Sequence, residues 1–371
     1  MTNLFGHARP ILCGTHRAYN KPVDRSGRRE YMSIVRKKQE ETVSMPTLQI
    51  PNDASIHTLR NFLSKNDPFS DSLNPATLRL NKNWAYMDPM ALSMTAAWGG
   101  WCRRKGLEIN VENMDGRHVN YAARMKLFQH LQVPCDASLA EHEESGRFMP
   151  LSQVKTKDEL EAVLASVSAL LHLDTEPDGL AAVRYCVSEL VRNVFEHSGS
   201  PDKAYVCAQR YVDTEPRRVS IAVADCGWGI AEHLGHIYPE ARTSNARALD
   251  LAMRPGITGA QSGMYGSPDN AGAGLFITRA IAKVTGGYFV LISGDAAYRL
   301  RRRRSDKDLL LYANAFEEPR HDFWTLDAGW QGTVAAVEIA TEKIGDFPAF
   351  FQWVRQQLPA SKTAAGKIRF T

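Results

Sequence analysis

The feature that most constrains the fold is an alternation of strand-like and helix-like segments along residues 46–140. The segments ATLRLN and LEINVEN have the residue pattern of strands, and each is followed by a segment with helical periodicity. In the first helical segment, DPMALSMTAAWGGWCRRKG, Asp88 is a suitable N-cap and Pro89 stands at the first helical position, where proline is favoured. The alternation predicts a small α/β domain.

The rest of the chain predicts a second, larger domain. Residues 141–156 are expected to be a connector that contains a strand, GRFMPLSQV. Residues 157–345 have the pattern of two helices, two strands, a glycine-rich region, a helix and several strands, and residues 346–371 that of a terminal helix and a tail. Residues 1–45 are basic and rich in turn formers, which indicates a flexible leader; such leaders are solvated tails more often than nucleic-acid arms.

Composition excludes several classes of protein. The 371 residues are 44% hydrophobic and 23% charged, with a net charge of +4, which is too mild to imply nucleic-acid binding by itself. No apolar run approaches the roughly 20 residues that span a bilayer, and no apolar h-region of a secretory signal is visible. The cysteines form no CxxC pair and fit neither a zinc site nor a small disulfide framework, which predicts a reduced, cytoplasmic setting. The six cysteines are Cys13, Cys102, Cys135, Cys186, Cys207 and Cys226.

The stretch ELVRNVFEHSG places a carboxylate, an amide and an imidazole on one stripe of a predicted helix. Glu189, Asn193 and His197 are spaced four residues apart and therefore project from the same face. An asparagine oxygen is a suitable ligand for Mg²⁺, and a glutamate one turn earlier could accept a proton from an attacking water. A solvated polar face is the alternative interpretation of this stripe.

Three further motifs follow in order. In SIAVADCGWGI an apolar strand ends at Asp225, whose carboxylate can accept a hydrogen bond from an exocyclic amine, while the next glycines let a flat ring approach the backbone. In NAGAGLFITRAIAKVTGG, glycines precede a helix whose free N–H groups favour phosphate oxygens. In WQGTVAAVEI, Gly332 and Thr333 introduce a strand. Each motif alone is weak, and their order and spacing carry the argument.

These four motifs, within about residues 155–345, resemble the GHKL superfamily of ATP-binding domains, which includes gyrase, Hsp90, histidine kinases and MutL. The resemblance implies an α+β sandwich in which helices cover one face of a mixed sheet. It also implies ATP and Mg²⁺ as ligands. By position, Asn193 would ligate Mg²⁺, Gly272, Ala273 and Gly274 would meet the phosphates, and His197 would either contact phosphate or cap its helix.

The remaining roles implied by the resemblance concern the base and hydrolysis. Asp225 would bind the adenine amino group with support from Thr333, and Gly227 and Gly229 would line the base pocket. Glu189 matches the general base of the members that hydrolyse ATP.

Between the glycine motifs lies a glycine-rich segment, TSNARALDLAMRPGITGAQSGMYGSPDN, that predicts a mobile lid over the nucleotide. It resembles the lids of anti-sigma-factor-kinase-like ATPases. Arg254 and Thr258 are the candidates for phosphate contact within it.

The first domain has a fainter resemblance to the STAS fold of anti-sigma-factor antagonists. In that fold a strand leads to an Asp-Ser pair before a helix, and the serine is phosphorylated. Here Pro89 follows Asp88, which excludes such a switch at that position. The resemblance would imply a docking or dimerising module, and a plain α/β scaffold is the alternative.

A run of arginines is predicted to form the tip of a β-hairpin that could bind nucleic acid, although charged runs are more often solvated loops. It comprises Arg299, Arg301, Arg302, Arg303 and Arg304. Self-phosphorylation on histidine is not expected, because the nearest candidate, His142, is followed closely by Gly146 and Pro150 and cannot lie in a long helix.

Three functions stay open on the sequence. The first is an Mg²⁺-dependent ATP switch that hydrolyses slowly, controls a lid and acts on another protein, with a homodimer as an option. The second is a serine/threonine protein kinase of the anti-sigma type. The third is a non-catalytic ATP-bound module that engages nucleic acid through the arginines.

Overall fold

The computed structural model describes residues 45–64, 66–70, 75–115, 118–135, 147–173, 175–257, 272–302, 310–357 and 367–369. Within these ranges no helix has the length and apolar character needed to cross a membrane, and the cysteines are unpaired. The leader predicted at residues 1–45 and most of the predicted tail lie outside the described residues. Residues 44–371 form one compact unit.

The N-terminal region, defined here as residues 45–135, is a small α/β assembly. Strands β1, β3 and β5 form a parallel sheet in that order, and β2 pairs with β4 in parallel. The predicted α/β pattern is therefore present, while the resemblance to STAS domains stays a prediction. The elements are β1 (Thr47–Gln49), β2 (Asp53–Ala54), α1 (Leu59–Leu63), β3 (Ala76–Arg79), β4 (Tyr86–Met87), α2 (Pro89–Arg104), β5 (Ile109–Glu112), α3 (His118–Arg124) and α4 (Leu127–Leu131).

The C-terminal region starts at residue 147 and contains a five-stranded sheet in the order β6-β7-β8-β11-β9. A separate pair, β10 with β12, is antiparallel. The elements are β6 (Phe148–Val154), α5 (Lys157–Leu171), α6 (Pro177–His197), β7 (Ala204–Tyr211), β8 (Arg218–Asp225), α7 (Ile230–Gly235), α8 (Asn245–Ala252), α9 (Gly274–Val284), β9 (Tyr288–Leu300), β10 (Leu310–Tyr312), β11 (His321–Ala340), α10 (Phe347–Gln357) and β12 (Lys367–Arg369).

Local sequence signals explain where the long helices begin. The Asp88 carboxylate accepts a hydrogen bond from the Ala91 N–H at 3.0 Å, as predicted for the N-cap of α2. Helix α5 begins with a capping box between Thr156 and Glu159, and α6 has Pro177 at its first position.

The predicted α+β sandwich is confirmed, with two differences in detail. Every neighbouring pair in the five-stranded sheet is antiparallel, whereas a mixed sheet was expected. Residues 148–154, predicted to lie in a connector, form the edge strand β6 of this sheet. Antiparallel strands can be joined by short turns, which is why β7 and β8 follow one another directly.

A further difference concerns the faces of the sheet. On the front face, which we define as the face covered by α5, α6 and α9, the alternate β8 residues Val219, Ile221 and Val223 enter one core. On the back face, covered by α2 of the N-terminal region, the intervening residues Ala222 and Ala224 enter a second core. Helices were expected on one face only, but both faces are buried.

The structure describes three residues of the arginine run, Arg299, Arg301 and Arg302, and the predicted hairpin tip stays a prediction. Arg299 lies within strand β9, opposite Asp322 of β11, and its guanidinium pairs with that carboxylate at 2.7 Å. Its Nη1 also donates to the carbonyl oxygen of His57 in the N-terminal region. Arg302 pairs with Glu338 at 2.7 Å, and Arg301 reaches Asp322 at 3.5 Å. These three arginines are engaged in contacts within the protein; Arg303 and Arg304 lie outside the described residues.

Candidate functional site

A cleft on the front face brings together the residues of the four sequence motifs. It lies among helix α6, the start of α9, and the ends of strands β8 and β11 that face α7. The predicted site residues that line it are Glu189, Asn193, His197, Asp225, Gly229, Gly272, Gly274 and Thr333.

Asp225 lies at the end of β8 and is 1% exposed. One carboxylate oxygen, Oδ1, accepts a hydrogen bond from the Gly227 N–H at 2.8 Å. The other, Oδ2, is buried and has no hydrogen-bond partner among the described residues. Burial raises the pKa of Asp225 to about 7, and the backbone of Gly227, the backbone of Thr333 and the charge of Arg104 oppose this shift only in part. A buried acceptor without a partner is costly, which indicates that Oδ2 is kept for a ligand.

Thr333 lies directly opposite Asp225 in the antiparallel pairing of β11 with β8. This register explains why two residues 108 positions apart in the sequence meet at one end of the cleft. Thr333 thereby reaches the cleft, and its predicted role towards Asp225 stays a prediction.

Asn193 and His197 lie on the face of α6 that forms one wall of the cleft. The Nδ2 atom of Asn193 and the Nδ1 atom of His197 are buried without a hydrogen-bond partner in the described part of the chain. Burial, together with the nearby His233, lowers the pKa of His197 to about 4, so its imidazole is neutral near pH 7. The rings of His197 and His233 are 4.4 Å apart.

Glu189 is 6% exposed and lies one turn before Asn193 on the same face. Its pKa is raised because burial disfavours the charged carboxylate, although the Arg192 guanidinium opposes the shift. Arg192 Nη1 pairs with Glu189 Oε1 at 2.8 Å. A buried carboxylate with a raised pKa is a stronger base than an exposed one, which is what proton abstraction requires.

Two glycines of the motifs are required by close approach. A Cβ on Gly274 would lie 2.4 Å from Glu189 Oε2, so glycine lets the start of α9 reach the α6 wall. Gly272 has a φ of +78°, in the left-handed region, and a Cβ there would lie 2.5 Å from the Ile257 carbonyl oxygen. The backbone at the start of α9 is thereby left open towards the cleft.

Other predicted residues are placed elsewhere. Gly227 and Ala273 do not line the cleft, and a Cβ on Gly227 would lie 2.0 Å from the Ser198 carbonyl oxygen. Gly227 therefore permits the packing of two chain segments. Arg254 pairs with Asp250 at 2.8 Å and is not a lining residue. Thr258 and the rest of the predicted lid up to residue 270 lie outside the described residues.

Sequence reasoning missed four polar residues of the cleft, namely Arg192, Glu196, Ser198 and His233. A signal existed for the first two, because they lie three residues after Glu189 and Asn193 and extend the same helical face. No local signal existed for His233, which reaches the cleft only because α7 packs beside it.

Among the residues that the structure describes, no group of three or more His, Cys, Asp or Glu side chains is arranged to hold a metal. An amide such as that of Asn193 can supply one ligand to Mg²⁺, and phosphates and waters usually supply the others.

Comparison with known proteins adds an independent finding. Residues 154–285 match the family model described as a histidine kinase-like ATPase domain. The search of curated proteins gave no match for the chain. The matched segment contains α6, the end of β8 and the start of α9, which line the cleft, whereas β11 with Thr333 lies beyond it. Residues 154–285 therefore belong to a histidine kinase-like ATPase domain of the GHKL type.

Proposed function

We propose that this protein binds ATP together with Mg²⁺ in the front-face cleft and hydrolyses it slowly. The observation that supports this most directly is the buried, unpartnered Oδ2 atom of Asp225 at one end of the cleft. An amide and a carboxylate of α6 line the same cleft. The distribution matches a ligand that has a base at one end and phosphates at the other.

Asp225 would recognise the adenine base. Its Oδ2 can accept one hydrogen bond from the exocyclic amine, and the apolar side chains of Ile230 and Leu234 beside it would pack against the ring. In a purine that has a carbonyl oxygen in place of that amine, two acceptors, this oxygen and Asp225 Oδ2, would face each other and no hydrogen bond would form. We therefore assign adenine selectivity to Asp225.

Asn193 and the start of α9 would hold the phosphates. The Asn193 side chain would supply one Mg²⁺ ligand, and the N–H groups at the first turn of α9 would donate to phosphate oxygens. Once bound, Mg²⁺ neutralises negative charge on the phosphates and supports displacement at the terminal phosphorus.

Glu189 would act as the general base. Burial keeps its carboxylate basic, and Arg192 holds one of its oxygens, which fixes the side chain while Oε2 is directed towards Gly274. A proton moves from an attacking water to this carboxylate. Nucleotide occupancy would control the predicted lid and a surface that a partner protein recognises, in a cytoplasmic setting.

Nucleotide affinity tests the proposal. We expect the wild-type chain to bind ATP more tightly with Mg²⁺ than without it. Asn193→Ala should remove most of the Mg²⁺ effect, because the side-chain ligand is lost. Asp225→Ala should weaken ATP binding roughly tenfold or more with or without Mg²⁺, because a charge-assisted hydrogen bond is lost. Isothermal titration calorimetry measures both effects.

Phosphate release from labelled ATP tests the hydrolytic part. Free phosphate supports hydrolysis, whereas label on a protein would support the kinase alternative and unchanged ATP a non-catalytic module. If neither Asn193→Ala nor Asp225→Ala weakens ATP binding, the site assignment is wrong.

A further inference from the structure

The turn that carries Asp225 is held by side chains from the back face of the sheet. Trp330 Nε1 donates to the carbonyl oxygen of Asp225 at 3.2 Å. Arg104 Nη2, at the end of α2, donates to the carbonyl oxygen of Cys226 at 3.0 Å. Two consecutive carbonyl groups are thus fixed by side chains, and one of these side chains comes from the N-terminal region.

Arg104 also joins a second segment of the site. Its Nη1 forms an ion pair with the carboxylate of Asp202, which lies in the connection between α6 and β7. One guanidinium therefore ties the turn after β8 to the chain that leaves α6. Arginine suits this position because its planar fork offers five donors in fixed directions.

These two segments also meet on the cleft side, with no spare room. The Trp228 N–H donates to the Ser198 carbonyl oxygen at 2.7 Å. A Cβ on Gly227 would clash with that same oxygen, at 2.0 Å. Because the contact is so close, a shift of either segment moves the other, and with it the Asp225 carboxylate. A hydrogen bond weakens over a few tenths of an ångström, so such a shift matters for recognition.

We propose that Arg104 is a positioning residue for purine recognition, which fixes the Asp225 turn from the N-terminal region so that Oδ2 meets the exocyclic amine of the base. The inference rests on the proposed function. It assigns to the N-terminal region a part in base selectivity, although none of its residues lines the cleft.

The test compares ATP with purine riboside triphosphate, which differs from ATP only by lacking the 6-amino group. The readout is the ratio of the two dissociation constants, measured by calorimetry with Mg²⁺ on the full chain. In the wild type we expect ATP to bind roughly tenfold more tightly or better, the usual effect of a hydrogen bond to a charged group. In Arg104→Ala we expect this preference to fall to about threefold or less, because a displaced carboxylate no longer matches the amine.

A merely structural role would weaken both nucleotides equally, and an unchanged ratio in Arg104→Ala would overturn the inference. Arg104→Lys should restore part of the preference for ATP, since lysine keeps the positive charge but lacks the planar guanidinium group. Arg79→Ala is the matched control, because Arg79 forms an exposed ion pair with Glu112 on the N-terminal sheet.

Two further variants separate the possible failures. Asp225→Ala should abolish the preference for the amino group; if it does not, the proposed function itself fails. If Asp225→Ala abolishes the preference and Arg104→Ala leaves it intact, only the role of Arg104 is wrong. Should Arg104→Ala fail to fold, Asp202→Asn takes its place, and a preference for ATP unchanged from the wild type would then contradict the inference.

Discussion

The front and back faces of the five-stranded sheet belong to the same strands, but helices bury them in different ways. On the front face, large side chains such as Ile221 and Leu291 pack against helices, and the cleft opens between those helices. On the back face, small side chains such as Ala222 and Ala224 allow α2 to approach closely. Ser93 of α2 donates to the carbonyl oxygen of Ala222 at 3.2 Å.

The difference indicates that the two faces have different roles. The front face carries the groups that would touch a nucleotide, and the back face carries groups that hold those same strands from behind. Because β8 contributes to both cores, the N-terminal region is part of the packing on which the cleft depends. The boundaries predicted from the sequence, at residues 46–140 and 157–345, remain predictions about domains, yet the two cores meet at one sheet.

Removing the N-terminal region, which packs on the back face, tests most strongly whether the front face depends on the back face. A chain that begins at residue 147 lacks α2 and exposes the apolar back face to water, so we expect it to aggregate and to show no cooperative thermal unfolding. Size-exclusion chromatography and circular dichroism measure this. A soluble monomer that unfolds cooperatively and binds ATP would show that the two faces are independent.

The chemistry assigned to the front face is tested by Glu189→Gln. The amide cannot accept the proton, and we expect the rate of ATP hydrolysis to fall roughly a hundredfold or more while ATP affinity changes little. Phosphate release and calorimetry measure the two quantities. Glu161→Gln, at an exposed position of α5, is the matched control and should leave the rate unchanged. Hydrolysis at the wild-type rate in Glu189→Gln would remove Glu189 from the mechanism.

The substitution Ala222→Leu tests how closely α2 packs against the back face of the sheet. Ala222 is fully buried under α2, so a larger side chain must displace the helix, and we expect a loss of about 1–3 kcal/mol in the free energy of unfolding. Urea denaturation measures this. Ala162→Leu, at an exposed position of α5, should change the free energy of unfolding by about 0.5 kcal/mol or less. Equal effects of the two substitutions would mean that α2 packs loosely.

The smallest expected effect is the pH dependence of ATP binding. The pKa of Asp225 is about 7 because burial disfavours the charged form, and recognition of the amine needs the ionised carboxylate. The ionised fraction therefore falls as pH falls through 7, and from pH 8 to pH 6 the affinity should drop about tenfold. Calorimetry at the two pH values measures the drop, and Asp225→Asn should flatten it. A drop of the same size in Asp225→Asn would assign the pH dependence to another group.

Much of the site could be predicted because its signals are local. The four-residue spacing of Glu189, Asn193 and His197 fixes them to one helical face wherever that helix packs, and all three line the cleft. A polar residue at a strand end and glycines before a helix are equally local features. The cap of α2 at Asp88 was predictable for the same reason.

Other features escaped prediction because they depend on packing between distant segments. Strand β8 is buried along its whole length. Its apolar run from Ile221 to Ala224 is typical of a strand covered on both faces, and this was a signal for the back-face helix that went unused. The ion pair of Arg299 with Asp322 depends on the pairing of β9 with β11, and no local pattern marks it.

The sequence by itself determined which residue types the cleft holds, because helical and strand periods assign side chains to faces before any tertiary contact forms. Only the tertiary structure decided that Thr333 would lie opposite Asp225, that His233 would lie beside His197, and that Arg104 would hold the Asp225 turn. The physical reason is the distance along the chain over which each effect acts. Periodicity acts over a few residues of one element, whereas the placement of a side chain against another element depends on the packing of the whole sheet and its two covers.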